Sequence, residues 1–183
     1  MTTSAVSAPL RALPNALTIA RLVLIPVFVG LMLLDDPANW PAGLLFGAAG
    51  ITDQVDGYLA RRWRVESQFG KLADPLADRL MIDAAAIMLF VDGRIAWYAS
   101  AIVLARDAVM LIGYRFVVPR GYDFEVSPLG KLATWILYAS IGFVIVTDEG
   151  VDWPVWLFWG GVALALVAAV QYVVKARREV GRP

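Results

Sequence analysis

Apolar residues dominate six stretches of the chain, near 16–34, 40–60, 73–91, 95–116, 130–147 and 153–174, with polar and charged residues concentrated between them. Each stretch is roughly 17 to 25 residues long, the length a helix needs to cross a bilayer's hydrocarbon layer. The pattern predicts an all-α, polytopic membrane protein with six transmembrane helices. The connecting segments alternate in sign. Asp35, Asp36, Asp92, Asp148, Glu149 and Asp152 fall on one side with Arg94 as the basic exception; Arg11, Arg61, Arg62, Arg64, Lys71, Arg115, Arg120, Lys131, Lys175, Arg177, Arg178 and Arg182 fall on the other. Because cytoplasmic loops carry the excess of Lys and Arg, both termini are expected in the cytoplasm. Trp40, Trp97, Trp153 and Trp156 sit where spans begin on the acidic side, as an interfacial aromatic belt requires; packing between helices is the alternative reading of each.

The first apolar run is too long for a signal-peptide core and is followed by Asp35-Asp36-Pro37 rather than a small-residue cleavage site, so it is read as a retained span. The connection from about Val117 to Leu129 contains Pro119, Gly121 and Pro128 and reads as a cytoplasmic loop. No repeat or low-complexity stretch divides the sequence. A single domain over 1–183 is expected, with a short cytoplasmic N-terminal segment 1–14 and a tail 175–183.

Composition narrows the chemistry. The 183 residues are 60% hydrophobic and 17% charged, with 16 basic and 16 acidic side chains. No basic face is available for nucleic acid beyond juxtamembrane clusters. The chain has no cysteine and no histidine, which excludes disulfides, thiolate nucleophiles, zinc–thiolate sites and Ser-His-Asp triads. Catalysis, if any, rests on carboxylates, oxygen-ligated metals, and Lys or Arg.

The carboxylates follow a grid. Asp53 and Asp56 are three residues apart at the end of the second run, and Asp74 and Asp78 are four apart at the start of the third. Each pair therefore projects from one helix face, and two adjacent helices can aim four acids at one volume. Asp53 lies thirteen residues past Trp40, about 20 Å along a helix, which places it toward the cytoplasmic side. Carboxylates at hydrocarbon depth cost about 2.5 to 3.5 kcal/mol each on insertion scales and mark functional sites by default. Crowded like charges call for a counter-cation, and all-oxygen ligation suits a pair of Mg²⁺ or Mn²⁺ ions acting on phosphate. Gly57 and Ala60 clear bulk beside the acids, and Arg61 can pair with phosphate. Arg62 and Arg64 are read as positive-inside anchors. Gly70 is expected to turn the loop back into the third span, and Pro75 to sit in that span's first turn.

Written out, Asp53-x₂-Asp56-Gly57-x₂-Ala60-Arg61-x₈-Gly70-x₃-Asp74-x₃-Asp78 resembles the signature of the CDP-alcohol phosphatidyltransferases at every fixed position. Eight such matches arise by chance on the order of 10⁻¹⁰ per starting position at ordinary residue usage. The resemblance extends to Leu13-Pro14-Asn15-Ala16-Leu17-Thr18 with Arg21, and to Gly130-Lys131 with Thr134. It implies a six-helix enzyme of the cell membrane, usually a homodimer, that cleaves CDP-diacylglycerol at the cytoplasmic side and releases CMP. It further implies that Asp53, Asp56 and Asp74 hold the metals, that Asp78 is the candidate base and can also touch a metal, and that Gly57, Ala60, Arg61 and Gly70 line the nucleotide site with Asn15 and Thr18.

The acceptor is read from fewer residues. Arg106, Arg115 and Lys131 form a candidate phosphate-binding set, since intramembrane cations usually face a polar cavity or a counter-charge. A pair between Arg106 and adjacent Asp107 is the alternative for Arg106, set against the rule that neighbours on a helix do not face each other. The Pro-Asn-x-Leu-Thr-x₂-Arg and Gly-Lys-x₂-Thr segments look like the branch that uses sn-glycerol 3-phosphate and makes phosphatidylglycerophosphate. Ala133 and Arg106-Asp107, where that branch often has a second lysine and Arg-Glu, also fit relatives that use phosphatidylglycerol and make cardiolipin; inositol phosphate fits the first segment less well. Rival classes are an intramembrane prenyltransferase, which would release diphosphate rather than CMP, and a divalent-cation transporter, whose acids should extend through the membrane rather than gather at one side.

Overall fold

In the computed structural model, residues 8–34, 38–63, 68–117 and 127–180 are described, with side chains over 19–34, 38–52, 79–112, 127–172 and 174. Six helices follow one another: α1 (Ala8–Met32), α2 (Trp40–Trp63), α3 (Gln68–Val91), α4 (Trp97–Val117), α5 (Pro128–Val146) and α6 (Trp153–Val180). The described residues contain no strand. Each expected apolar run lies almost wholly within a helix, yet several helices outrun it at the basic end. α1 begins at Ala8 and α6 continues to Val180, so much of the expected N-terminal segment and tail is helical. α3 begins at Gln68, which places Gly70 and Pro75 inside a helix rather than at a turn and in a first turn of it. Hydropathy marks the hydrocarbon-matched part of a helix, whereas the backbone ladder can continue into polar surroundings without loss.

At the acidic end the boundaries have clear causes. The Asn39 side chain caps α2, its Oδ1 accepting from the Ala42 amide at 3.0 Å, while its Nδ2 donates to the Leu31 carbonyl of α1 at 2.7 Å. Gly93, at φ 76°, ends α3 in the left-handed conformation that glycine adopts without penalty. Arg94 donates to the Val144 and Thr147 carbonyls at 2.7 and 2.5 Å. The single basic residue of this end thus satisfies orphan carbonyls at the end of α5, where the helix dipole favours a cation. At the opposite end, Ser127 caps α5 by accepting from Gly130 at 3.1 Å, and its own amide donates to Tyr172 Oη of α6.

The helices pack as a ring in the order α1, α2, α5, α6, α4, α3, with α3 and α5 also touching across the middle and α2 touching α3. Phe28, Phe46, Met81, Ile82, Leu89, Val103, Leu137, Ile141, Ile145 and Phe158 fill the core. Close approach of α2 to α5 depends on missing side chains: a Cβ at Gly43 would collide with the Val146 side chain, and one at Gly50 with the Tyr138 ring. That ring stacks on Phe46 at 4.2 Å, and its hydroxyl donates to the Phe46 carbonyl at 2.5 Å.

Large apolar side chains such as Leu44, Ile51, Val91, Val109, Ile112 and Val170 face outward, while Arg21, Arg106, Asp107 and Ser140 are buried. This distribution suits a lipid surround better than water. Among the described residues, Pro128–Val146 and Trp153–Tyr172 are continuous helices long and apolar enough to cross a bilayer, and Ile19–Met32 and Trp40–Thr52 are shorter apolar segments. Trp40, Trp97, Trp153 and Trp156 are 57%, 66%, 51% and 76% exposed. They lie at the outer surface of the acidic end, where Trp153 of α6 also packs on Phe143 of α5 with ring centroids 5.0 Å apart.

Candidate functional site

The acid grid divides between two touching helices. α2 carries Asp53, Asp56, Gly57, Ala60 and Arg61, and α3 carries Gly70, Asp74 and Asp78. Asn15 and Thr18 belong to α1, and Arg115 to α4. The helical backbone at these positions puts Asp53 with Asp56, and Asp74 with Asp78, on common faces. The side chains of all these residues lie outside those described. Just before the grid, Thr52 Oγ1 bonds back to the Ala48 and Ala49 carbonyls at 2.8 and 2.9 Å, and Gly50 seats α2 on α5.

Immediately beyond Asp78, described side chains form a second polar group between α3, α4 and α5. Asp107, 3% exposed, accepts through Oδ1 from Arg79 of α3 and from Arg106 Nη1, the latter at 2.8 Å. Arg106 Nη2 reaches Thr134 Oγ1 of α5 at 3.4 Å, and Thr134 donates to the Gly130 carbonyl at 3.0 Å. Asp83 sits one turn past Arg79, within electrostatic reach of Asp107, Arg79 and Arg106. Two carboxylate oxygens here, Asp83 Oδ1 and Asp107 Oδ2, are buried with no hydrogen-bond partner among the described residues.

Arg106 and Asp107 do meet, contrary to the expectation from helix spacing. The rule concerns where Cβ atoms point, and a guanidinium on a three-carbon stem can fold back along its own helix to the next residue. Arg106 also lines an apolar recess with Ile102, Val103, Leu137, Val162, Ala165 and Leu166. Lys131 is exposed in the first turn of α5. Sequence reasoning weighed Asp107 as a partner of Arg106 but passed over Arg79 and Asp83. The available signal was an Arg and an Asp four residues apart, Arg79 and Asp83, in an apolar stretch.

The sequence model of the CDP-alcohol phosphatidyltransferase family matches residues 11–167. The chain belongs to that family. Three relatives show how CDP-alcohol phosphatidyltransferases similar to this one are divided by product. A probable phosphatidylglycerophosphate synthase of Mycobacterium tuberculosis is 32% identical over 178 residues, covering 92% of this chain and 83% of the relative. A cardiolipin synthase (CMP-forming) of Streptomyces coelicolor is 35% identical over 180 residues, covering 91% and 83%. The CDP-diacylglycerol–glycerol-3-phosphate 3-phosphatidyltransferase of Escherichia coli K12 is 31% identical over 182 residues, covering 91% and 96%. The acid grid and the Arg79–Asp107–Arg106 group both lie within the residues matched by the CDP-alcohol phosphatidyltransferase model.

Proposed function

We propose that this CDP-alcohol phosphatidyltransferase is a multi-pass protein of the cell membrane, with six spanning helices and both termini cytoplasmic, that transfers the phosphatidyl group of CDP-diacylglycerol to sn-glycerol 3-phosphate. The products are phosphatidylglycerophosphate and CMP. The observation that carries this reading is the complete acid grid on two touching helices of a family member, at the end of the bundle away from the tryptophan belt. A donor with a charged diphosphate and two acyl chains suits that position, because its chains stay in lipid while its headgroup meets the acids.

Asp53, Asp56, Asp74 and Asp78 fit a pair of divalent ions, since their donors are all hard oxygens. Bound Mg²⁺ or Mn²⁺ would neutralise the diphosphate and the departing CMP. Asp78 removes the proton from the acceptor hydroxyl, whose oxygen forms a bond to the phosphatidyl phosphorus as the bond to CMP breaks. Gly57, Ala60, Gly70, Asn15 and Thr18 shape the nucleotide site, and Arg61 supplies charge to the phosphate. Arg106, with Arg115 and Lys131, receives the acceptor's phosphate. The enzyme works as a homodimer.

A second reading, cardiolipin synthesis with phosphatidylglycerol as acceptor, is favoured by Ala133 and the Arg106-Asp107 dipeptide in the sequence and by the similarity to the Streptomyces coelicolor enzyme. Purified protein given CDP-diacylglycerol and Mg²⁺, with glycerol 3-phosphate, phosphatidylglycerol or inositol phosphate supplied separately, decides between them by CMP release. Turnover with glycerol 3-phosphate is expected; release only with phosphatidylglycerol transfers the assignment to cardiolipin. Diphosphate release in place of CMP would restore the prenyltransferase class, and metal flux into sealed vesicles without lipid turnover would restore the transporter.

A further inference from the structure

The two unpartnered carboxylate oxygens need an occupant. A buried acceptor without a donor is destabilising, the more so when charged, so native proteins rarely leave one empty. Asp107 is nearly fully enclosed, and its Oδ1 is already committed to two guanidinium groups, yet its Oδ2 has no partner among the described residues. Asp83 Oδ1 is in the same condition. Arg79 remains partly accessible, with its side chain 26% exposed, so the group has an open flank. Two arginines and two aspartates make it electrically neutral overall. An additional fixed cation is therefore not required, and the missing partner is a neutral donor.

We infer that Asp83 and Asp107 read the hydroxyl of the acceptor that does not react, making them specificity-determining residues. The chemistry they recognise is the secondary hydroxyl of a glycerol unit, which donates to the free carboxylate oxygens while the adjoining guanidinium groups stay paired with Asp107. Glycerol 3-phosphate and the headgroup of phosphatidylglycerol share that unit, so the inference rests on the phosphatidyl-transfer reading but holds for either acceptor. Each has a primary hydroxyl to attack phosphorus and a secondary one left over. A site built around a substrate hydroxyl discriminates strongly against the analogue lacking it, because its own polar groups are then stranded.

The test pairs each acceptor with its deoxy analogue, 3-hydroxypropyl phosphate for glycerol 3-phosphate and phosphatidyl-1,3-propanediol for phosphatidylglycerol. Full-length enzyme in lipid nanodiscs is supplied with CDP-diacylglycerol and Mg²⁺, and CMP is followed. Wild type should favour the natural acceptor by at least about tenfold in kcat/KM. In Asp83→Ala that preference should collapse toward unity through a raised KM for the natural acceptor, with the KM for CDP-diacylglycerol unchanged. If Asp83→Ala does not fold, Asp83→Asn, of the same shape, should still reduce the preference. Equal use of acceptor and analogue by wild type overturns the inference, as does a variant that slows both equally or keeps the full preference, since those outcomes leave water as the occupant. An absence of CMP release with every acceptor in wild type instead removes the phosphatidyl-transfer reading itself, and this inference with it.

Discussion

Arg94 reaches fifty residues along the chain to the Val144 carbonyl at 2.7 Å, tying the α3–α4 connection to the end of α5. The same guanidinium donates to Thr147 at 2.5 Å. The presence of a basic residue at the acidic end of the bundle therefore has a local cause, because it neutralises the carbonyl end of α5. Arg94→Met removes charged hydrogen bonds and leaves orphan carbonyls, so a loss of about 2 kcal/mol is expected. Thermal denaturation in detergent should show a midpoint about 4–8 °C lower. CMP release below the transition should be almost unaffected, because Arg94 lies at the far end from the acid grid.

Asp78→Asn should lower turnover by at least about 10²-fold, the usual contribution of a positioned proton acceptor. Binding of CDP-diacylglycerol and elution as folded protein on size exclusion should persist. Near-wild-type CMP release from well-folded mutant protein would remove Asp78 from the base role.

Chelation supplies an independent check on the grid. Treatment with EDTA should abolish CMP release, and Mg²⁺ or Mn²⁺ should restore it. Calcium should restore it poorly, because its longer bonds and looser coordination do not hold two phosphate oxygens in the same tight geometry. Full activity in the chelated enzyme would detach the four aspartates from metal binding.

The six helices were legible because each apolar run is close to bilayer length, and the grid was legible because its residues lie close together in sequence at helical spacing. The helix starts were less so. Gly70 and Pro75 looked like turn signals, yet α3 begins before both, since helical backbone bonding is not confined to apolar sequence. The Arg79–Asp107 pair was illegible for a different reason. It joins residues of two helices through tertiary packing, and neither member belongs to the motif that drew attention to Asp78. Tyr138 and Gly50 likewise match only in space: nothing local says that one supplies the ring and the other the room for it.

Arg106→Met tests the acceptor side without touching the grid. Asp107 keeps Arg79 as a partner, so the buried carboxylate is not stripped of all compensation, which limits the destabilisation that breaking a buried pair brings. The expected signature is an acceptor KM raised about tenfold or more with the CDP-diacylglycerol KM unchanged, the pattern of lost binding to one substrate. A matching rise for both substrates would mean that Arg106 shapes the bundle rather than meeting the acceptor.

Gly50→Ala reaches the grid through packing alone. The added methyl would stand 2.5 Å from Tyr138 Cζ and closer still to Cε1, a separation that no carbon–carbon contact tolerates. The ring cannot withdraw freely, because it is stacked on Phe46 and its hydroxyl is bonded to the Phe46 carbonyl. Either Tyr138 gives up both interactions or α2 moves away from α5. Overpacking of this kind costs about 1–3 kcal/mol. If α2 moves, Asp53 and Asp56, about one and two turns further along it, move as well, and displacing positioned groups by about an ångström costs about 10²-fold in rate. The second variant Tyr138→Phe/Gly50→Ala does not relieve the clash, since the ring remains, whereas Tyr138→Ala/Gly50→Ala removes it. Recovery of CMP release in that last double variant relative to Gly50→Ala is the expected outcome, and its failure would show that the glycine serves something other than clearance for the tyrosine ring.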